Sequence, residues 1–287
     1  MRPANSVPFV RSIVHPTDFS PASERAFAHA LAIALLRQTK LTILHVGTKA
    51  SRDWEQFPAV RGTLERWGLM PPGSGQEDVF ERLGVSVTKI AIESHFPALA
   101  VIDHLDRQPA DLLVVATEGR EGTARWLHGS VAEAMARGSK TMTLFVPADA
   151  ERTLVAVTDG NLTLSNVLIP VDHEPDPSSA IEFARRASGV IGDGPVTITL
   201  LHVGEGGSAP HAAATDGEGF SFVRVRRAGD PVEQIVACAD ELRAELVVMP
   251  TAGRSGVFEA LGGSTTERVL RRMRCPVLAV PATRPRI

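Results

Sequence analysis

Two aspartates, Asp18 and Asp172, close apolar runs in the segments Pro16-Thr17-Asp18 and Pro170-Val171-Asp172. A carboxylate so placed can accept hydrogens from a ribose or an amine. Further along each half stands a glycine turn, Ala116-Thr-Glu-Gly119-Arg120-Glu-Gly122 and Pro250-Thr-Ala-Gly253-Arg254-Ser-Gly256. Each turn leads to a Gly-Ser pair, Gly129-Ser130 and Gly263-Ser264, ahead of a helical stretch. Glycine lets backbone approach a ligand closely. Unpaired N–H groups and the positive end of a helix dipole suit phosphate oxygens. The same serines also fit S-x-x-E capping boxes with Glu133 and Glu267, so the residues leave two readings open, a phosphate turn and a bare helix cap. Finding strand-end Asp, turn and Gly-Ser together in both halves weights the phosphate reading. Arg120 and Arg254 sit inside the turns, where an arginine either forks onto phosphate oxygens or points into water.

The recurrence is a duplication. Moved forward by 134, Pro97–Ala148 lies on Pro231–Ala282 without a gap and with 18 identities in 52 positions. Ile13–Pro21 lies on Val167–Pro175 at a shift of 154, and Leu44-His-Val-Gly47 on Leu201-His-Val-Gly204 at 157. The shift then falls by 23, so the second copy lacks a stretch between Gly204 and Pro231. There the first copy has a polar segment with helical character near Trp54–Trp67 and a turn-rich Pro71-Pro-Gly-Ser-Gly75. Two long copies are not a solenoid, whose repeats are shorter and more numerous.

Within each copy short apolar runs alternate with helical stretches, the signal of βαβ units and a parallel sheet. Continuous runs such as Leu112-Leu-Val-Val115 and Leu246-Val-Val-Met249 suit strands covered on both faces. The expected architecture is therefore α/β: two tandem, doubly wound, mainly parallel five-stranded sheets with helices on both faces. The expected division is residues 1–149, a hairpin-like linker at 150–164 carrying Asp159-Gly160, and a shorter second domain at 165–287. In such sheets ligands bind beyond the carboxyl ends of the strands, where the Asp and glycine-turn sets converge.

Composition narrows the function. A formal charge of −3 over 287 residues gives no broad basic field for nucleic acid, and 5% aromatic residues without tyrosine give no stacking surface. The most apolar helical stretch, Ala26–Leu36, contains His29 and is too short to span a membrane. Cys238 and Cys275, with no secretory pattern at Met1–Arg11, read as free thiols in a reducing cytoplasm and as small buried hydrophobes. His45 and His202 lack neighbours at ligand spacing and read as core or strand-end histidines. The basic cluster Arg271-Arg272-Arg274 reads as a complement to a helix C-terminus, and Arg224 with Arg226 as a solvated strand face.

Taken together, these residues resemble universal stress protein (UspA-like) domains, and the chain resembles a tandem two-domain member over nearly everything from Ser12 to Ala282. The resemblance rests on the strand-one Pro-x-Asp, the Leu-His-Val strand and the closing Cys-Pro-Val-Leu-Ala-Val. The ATP-binding branch of that family carries G-x2-G-x9-G-[S/T]. Here Gly119-x9-Gly129-Ser130 and Gly253-x9-Gly263-Ser264 match its second and third glycines, while Ala116 and Pro250 replace the first.

The resemblance implies a cytoplasmic, ATP-binding, non-catalytic stress or signalling protein, with or without Mg, whose nucleotide changes its conformation or partners. It implies a first-copy site of Pro16, Thr17, Asp18, Val46, Ala116, Gly119, Arg120, Gly122, Gly129 and Ser130. The second-copy counterpart is Asp172, Val203, Gly253, Arg254, Gly256, Gly263 and Ser264, weakened by Pro250 and by His173-Glu174 where the first copy keeps Phe19-Ser20. The other readings are a nucleotide-independent scaffold and a slow ATPase or autophosphorylating protein. No Walker lysine and no paired carboxylates for two metals support the last. The resemblance further implies that Thr141–Val146 and Val277–Val280 meet within one chain as a pseudo-dimer, and it leaves association of two chains open. No membrane or nucleic-acid partner is expected.

Overall fold

A computed structural model describes residues 10–48, 55–117, 131–136, 140–191, 194–205, 210, 214–252 and 265–282. In the first copy the strands are β1 (Ser12–Thr17), β2 (Lys40–Gly47), β3 (Ser86–Glu93), β4 (Leu112–Thr117) and β5 (Met142–Pro147). The helices between them are α1 (Pro21–Arg37), α2 (Val60–Arg66), α3 (Gln76–Leu83), α4 (Pro97–Arg107) and α5 (Val131–Ala136). The second copy supplies β6 (Asn166–Pro170), α6 (Ser178–Ile191), β7 (Val196–Val203), β8 (Phe220–Arg227), α7 (Pro231–Glu241), β9 (Leu246–Thr251), α8 (Thr265–Leu270) and β10 (Val277–Pro281).

The strands form one sheet in the order β3-β2-β1-β4-β5-β10-β9-β6-β7-β8. Every pairing is parallel except the central one, where β5 and β10 run antiparallel with Leu278 opposite Leu144. The two expected five-stranded sheets are thus the halves of a single ten-stranded sheet, each half wound in the same order. Pairing β5 with β10 gives each half a partner for what would be an open edge.

Helices cover both faces, and the strand residues alternate between two cores. One core holds the apolar faces of α1 and α6 with Leu64 of α2 and Val79 of α3; the other holds Val101 and Leu105 of α4, Ala132 of α5, Ile235 and Cys238 of α7 and Val269 of α8. Helix α1 starts where Ser20 takes the N-cap, its hydroxyl accepting from Ser23 N–H, with Pro21 opening the helix.

The stretch absent from the second copy is two helices rather than one. Helix α2 falls where the polar segment was expected, whereas α3 follows the Pro71–Gly75 turn and ends at Gly84, which has φ +68°. Between the copies, Val155 bridges Leu162 in antiparallel fashion around a turn in which Gly160 N–H donates to Ala156 O over 2.8 Å. Trp67, just beyond α2, donates its indole N–H to Val157 O at 2.9 Å and so ties the extra helices to this turn.

The two thiols are free and buried, and Cys275 is pushed up to about 12, chiefly because burial disfavours the thiolate. Reactivity needs thiolate and access. The native protein should therefore leave Cys275 unlabelled by iodoacetamide at pH 8 over an hour, and urea-unfolded protein should label both, read by mass spectrometry. Of the arginines, Arg272 pairs with Glu233 and Arg274 with Glu151, and Arg224 and Arg226 are exposed on β8.

Candidate functional site

Each half reverses its winding between its first and fourth strands, at β1–β4 and β6–β9. The ladder there is brief. Only Ile13–Leu112 and Val14–Leu113 pair in the first half, and Val167–Leu246 and Leu168–Val247 in the second. Proline explains the parting on one side: Pro16 and Pro170 have no N–H to give to a ladder. Beyond Val14 the β1–β4 pairing ends, so the crevice in which doubly wound folds take ligands is expected at this switch point.

In the first half His15 stands at the split. Its Nδ1 donates to Val114 O at 2.9 Å, a side-chain bond across the two strands where the ladder has lapsed. The ring is fully buried and its pKa falls to about 4 because desolvation outweighs the nearby Asp18 charge. Thr17 is buried, and its hydroxyl accepts from Phe19 N–H at 3.1 Å and from Ser23 Oγ at 3.0 Å. Asp18 is exposed; its Oδ1 accepts from Ser20 N–H at 3.0 Å and Ser20 Oγ at 2.6 Å. Its Oδ2 has no partner among the described residues, so one carboxylate oxygen is held in place while the other faces outward. The chain makes this turn through Phe19 at φ +63°, and the Phe19 ring stacks on His45 at 4.1 Å between centroids. His45 Nδ1 in turn donates to Thr17 O at 2.8 Å. His45 is thus a positioning residue for the strand-one turn.

Val46 and Ala116 are half-buried at the ends of β2 and β4 and pack on opposite cores. Pro16, Thr17, Asp18, Val46 and Ala116 all stand at or just beyond the carboxyl ends of β1, β2 and β4. Gly119, Arg120, Gly122, Gly129 and Ser130 lie outside the described residues.

The second half differs in kind. Asp172 is exposed, and its Oδ1 accepts only from His173 N–H, at 2.8 Å. His173 replaces Phe19 and meets His202 edge to face at 6.2 Å. His202 is buried, with Nδ1 3.2 Å from Val171 O. Val203 ends β7 half-buried, and Pro250 is buried at the place of Ala116. Gly253, Arg254, Gly256, Gly263 and Ser264 lie outside the described residues. Among the described residues no three His, Cys, Asp or Glu side chains are grouped to hold a metal ion. No helix is long and apolar enough to cross a membrane.

The residues that sequence reasoning passed over are His15 and Thr117. His15 lies in an apolar run and carries no local signal of its role across the split strands.

A doubly wound, mainly parallel sheet with a switch point in each half defines a class of Rossmann-like α/β domains, here duplicated. The profile of the Universal stress protein family matches residues 10–147 and 205–281, and the chain belongs to that family. The universal stress protein Mb2028c of Mycobacterium bovis is 23% identical over 295 aligned positions, covering 93% of this chain and 95% of its own. Universal stress protein MJ0531 of Methanocaldococcus jannaschii is 44% identical over 52 residues; the match spans 18% of this chain and 31% of that relative. Among solved structures, a universal stress protein from Archaeoglobus fulgidus superposes with a TM-score of 0.59 at 18% identity, over 95% of this chain and 98% of its own.

Proposed function

We propose that this chain is an ATP-binding, non-catalytic stress or signalling module of the cytoplasm, whose first copy takes the nucleotide. The observation that carries this reading is the first crevice. There the β1–β4 ladder lapses after Val14, and Asp18 has one carboxylate oxygen without a partner among the described residues, beside the anchored Thr17 turn. Asp18 suits a ribose hydroxyl as acceptor, Val46 offers an apolar contact for a base, and the Gly119–Ser130 turn would take the phosphates. ATP, with or without Mg, then shifts conformation or partner binding by favouring one state. The second copy is read as degenerate or structural, since Pro250 removes an N–H and Glu174 would repel phosphate. Domain limits of 1–149 and 165–287 around a linker at 150–164 belong to the same reading, and a homodimer is left open.

The test is to denature purified protein, identify any released nucleotide by chromatography, and titrate ATP by calorimetry into wild type and a Gly129→Val, Ser130→Ala variant. ATP bound by wild type and lost in the variant is the expected result. A wild type that neither releases nor binds nucleotide leaves the scaffold reading. Phosphate release over hours separates a binder from a slow ATPase.

A further inference from the structure

Strand β4 ends on Thr117, which is 3% exposed and whose Oγ1 has no hydrogen-bond partner among the described residues. Folding rarely leaves such a group unpaired, because a buried unsatisfied hydroxyl costs roughly 1–3 kcal/mol. A valine would fit the same volume without that cost, so the hydroxyl needs a reason to be there.

Its position supplies one. The β1–β4 register pairs Ile13 with Leu112 and Val14 with Leu113. Carried forward, it brings Thr117 level with Asp18, across the gap where the ladder has lapsed. Val115, two residues back, packs in the core that Val46 also touches, and the two-residue period of a strand sets Thr117 on that same face. The strand end is fixed, since Thr117 O accepts from Ala148 N–H at 2.8 Å. Rotation about χ1 among its staggered wells is the motion that would turn Oγ1 toward the gap. The residue that the extended register sets across from it is Asp18, whose ionised carboxylate is a pure acceptor. A group that receives a hydrogen from Thr117 and gives one to Asp18 must be both acceptor and donor. A sugar hydroxyl is both, whereas a phosphate oxygen beside Asp18 would be repelled.

We propose that Thr117 Oγ1 and Asp18 clamp one ribose hydroxyl from its two sides, making Thr117 the residue that selects ribo- over deoxyribonucleotides. This rests on the nucleotide reading above and names the sugar that the site requires. A site built to pair a substrate hydroxyl rejects the analogue lacking it, because its own polar groups are left unpaired.

The test uses the full chain with ATP, 2′-deoxyATP and 3′-deoxyATP in calorimetric titrations of wild type, Thr117→Val and Thr117→Ser. Wild type should bind ATP at least about tenfold more tightly than one of the two deoxy analogues. Thr117→Val should lose about tenfold in ATP affinity and bind that analogue as well as ATP, while Thr117→Ser keeps the preference. The melting temperature of empty Thr117→Val should equal or exceed that of wild type, since no bond to a described residue is removed; a purely structural hydroxyl would lower it. If wild type binds ATP but binds both deoxy analogues within twofold, or if Thr117→Val keeps wild-type affinity and preference, the clamp is overturned and the nucleotide reading stands. The analogue series on wild type decides even if the valine variant does not fold. If wild type binds none of the three, both fall.

Discussion

Gly160→Val should cost the fold about 4 kcal/mol, the sum of left-handed backbone strain and overpacking. Gly160 has φ +74°, a conformation that a β-branched residue adopts only under strain. A Cβ built there would stand 2.4 Å from Trp67 Cε3, inside the indole ring rather than against a flexible chain end. The indole cannot retreat freely, because Trp67 is buried and its N–H is committed to Val157 O. Urea unfolding followed by circular dichroism measures the loss. Combining Gly160→Ala with Trp67→Ala separates the two sources: removing the indole relieves the clash, so the double variant should lose less than the two singles summed. A loss below about 1 kcal/mol for Gly160→Val would contradict the packing described.

Acid should weaken the first half through two buried histidines. His15 and His29 both donate from Nδ1 to carbonyls, Val114 O and Arg25 O at 2.9 Å, so each presents a bare Nε2 to the interior. Neither Nε2 has a partner among the described residues. Desolvation is the largest influence on each and is opposed by the ring's own bond to a backbone carbonyl; Asp18 adds to that opposition at His15 while the Arg25 charge reinforces the fall at His29, and both pKa values fall from 6.5 to about 4. The unfolded chain therefore binds protons that the native state refuses. Stability is fully present above pH 6.5 and drains as pH falls from 6.5 toward 4, by about 3 kcal/mol for each histidine. The second copy suggests the repairs, since Ile169 and Phe183 occupy the equivalent positions on β6 and α6. His15→Ile or His29→Phe should each remove about half of the acid-dependent loss, read as urea midpoints between pH 7.5 and 4.5. An unchanged slope in both variants would refute the assignment.

The outline of the fold could be read in the chain because its signals are local and repeated. Apolar runs bounded by helical stretches mark the strands, and the doubled Pro-x-Asp marks the end of the first strand in each half. Helix α3 escaped notice because the turn at Pro71–Gly75 looked like the end of a segment, though Gln76–Leu83 carries Val79 inward and charged residues outward. Contacts between distant residues left no trace in sequence. Nothing near Trp67 announces Val157 or Gly160, and nothing near Leu144 announces Leu278. Thr117 was hidden for a different reason: a threonine at a strand end fits β propensity, so only its unpaired hydroxyl in three dimensions sets it apart. Asp18 was visible, but its division into one tethered and one outward oxygen depends on Ser20 and was not.

The antiparallel seam between β5 and β10 has a consequence for ligand traffic. Because the strands of the two halves run in opposite directions, their carboxyl ends, and with them the two crevices, open at opposite ends of the sheet. Molecules seated in both would be separated by the four strands β4, β5, β10 and β9. Two occupied crevices would titrate as independent sites, without cooperativity of direct contact, and any message passing between them has to cross the seam or the Val155–Leu162 turn.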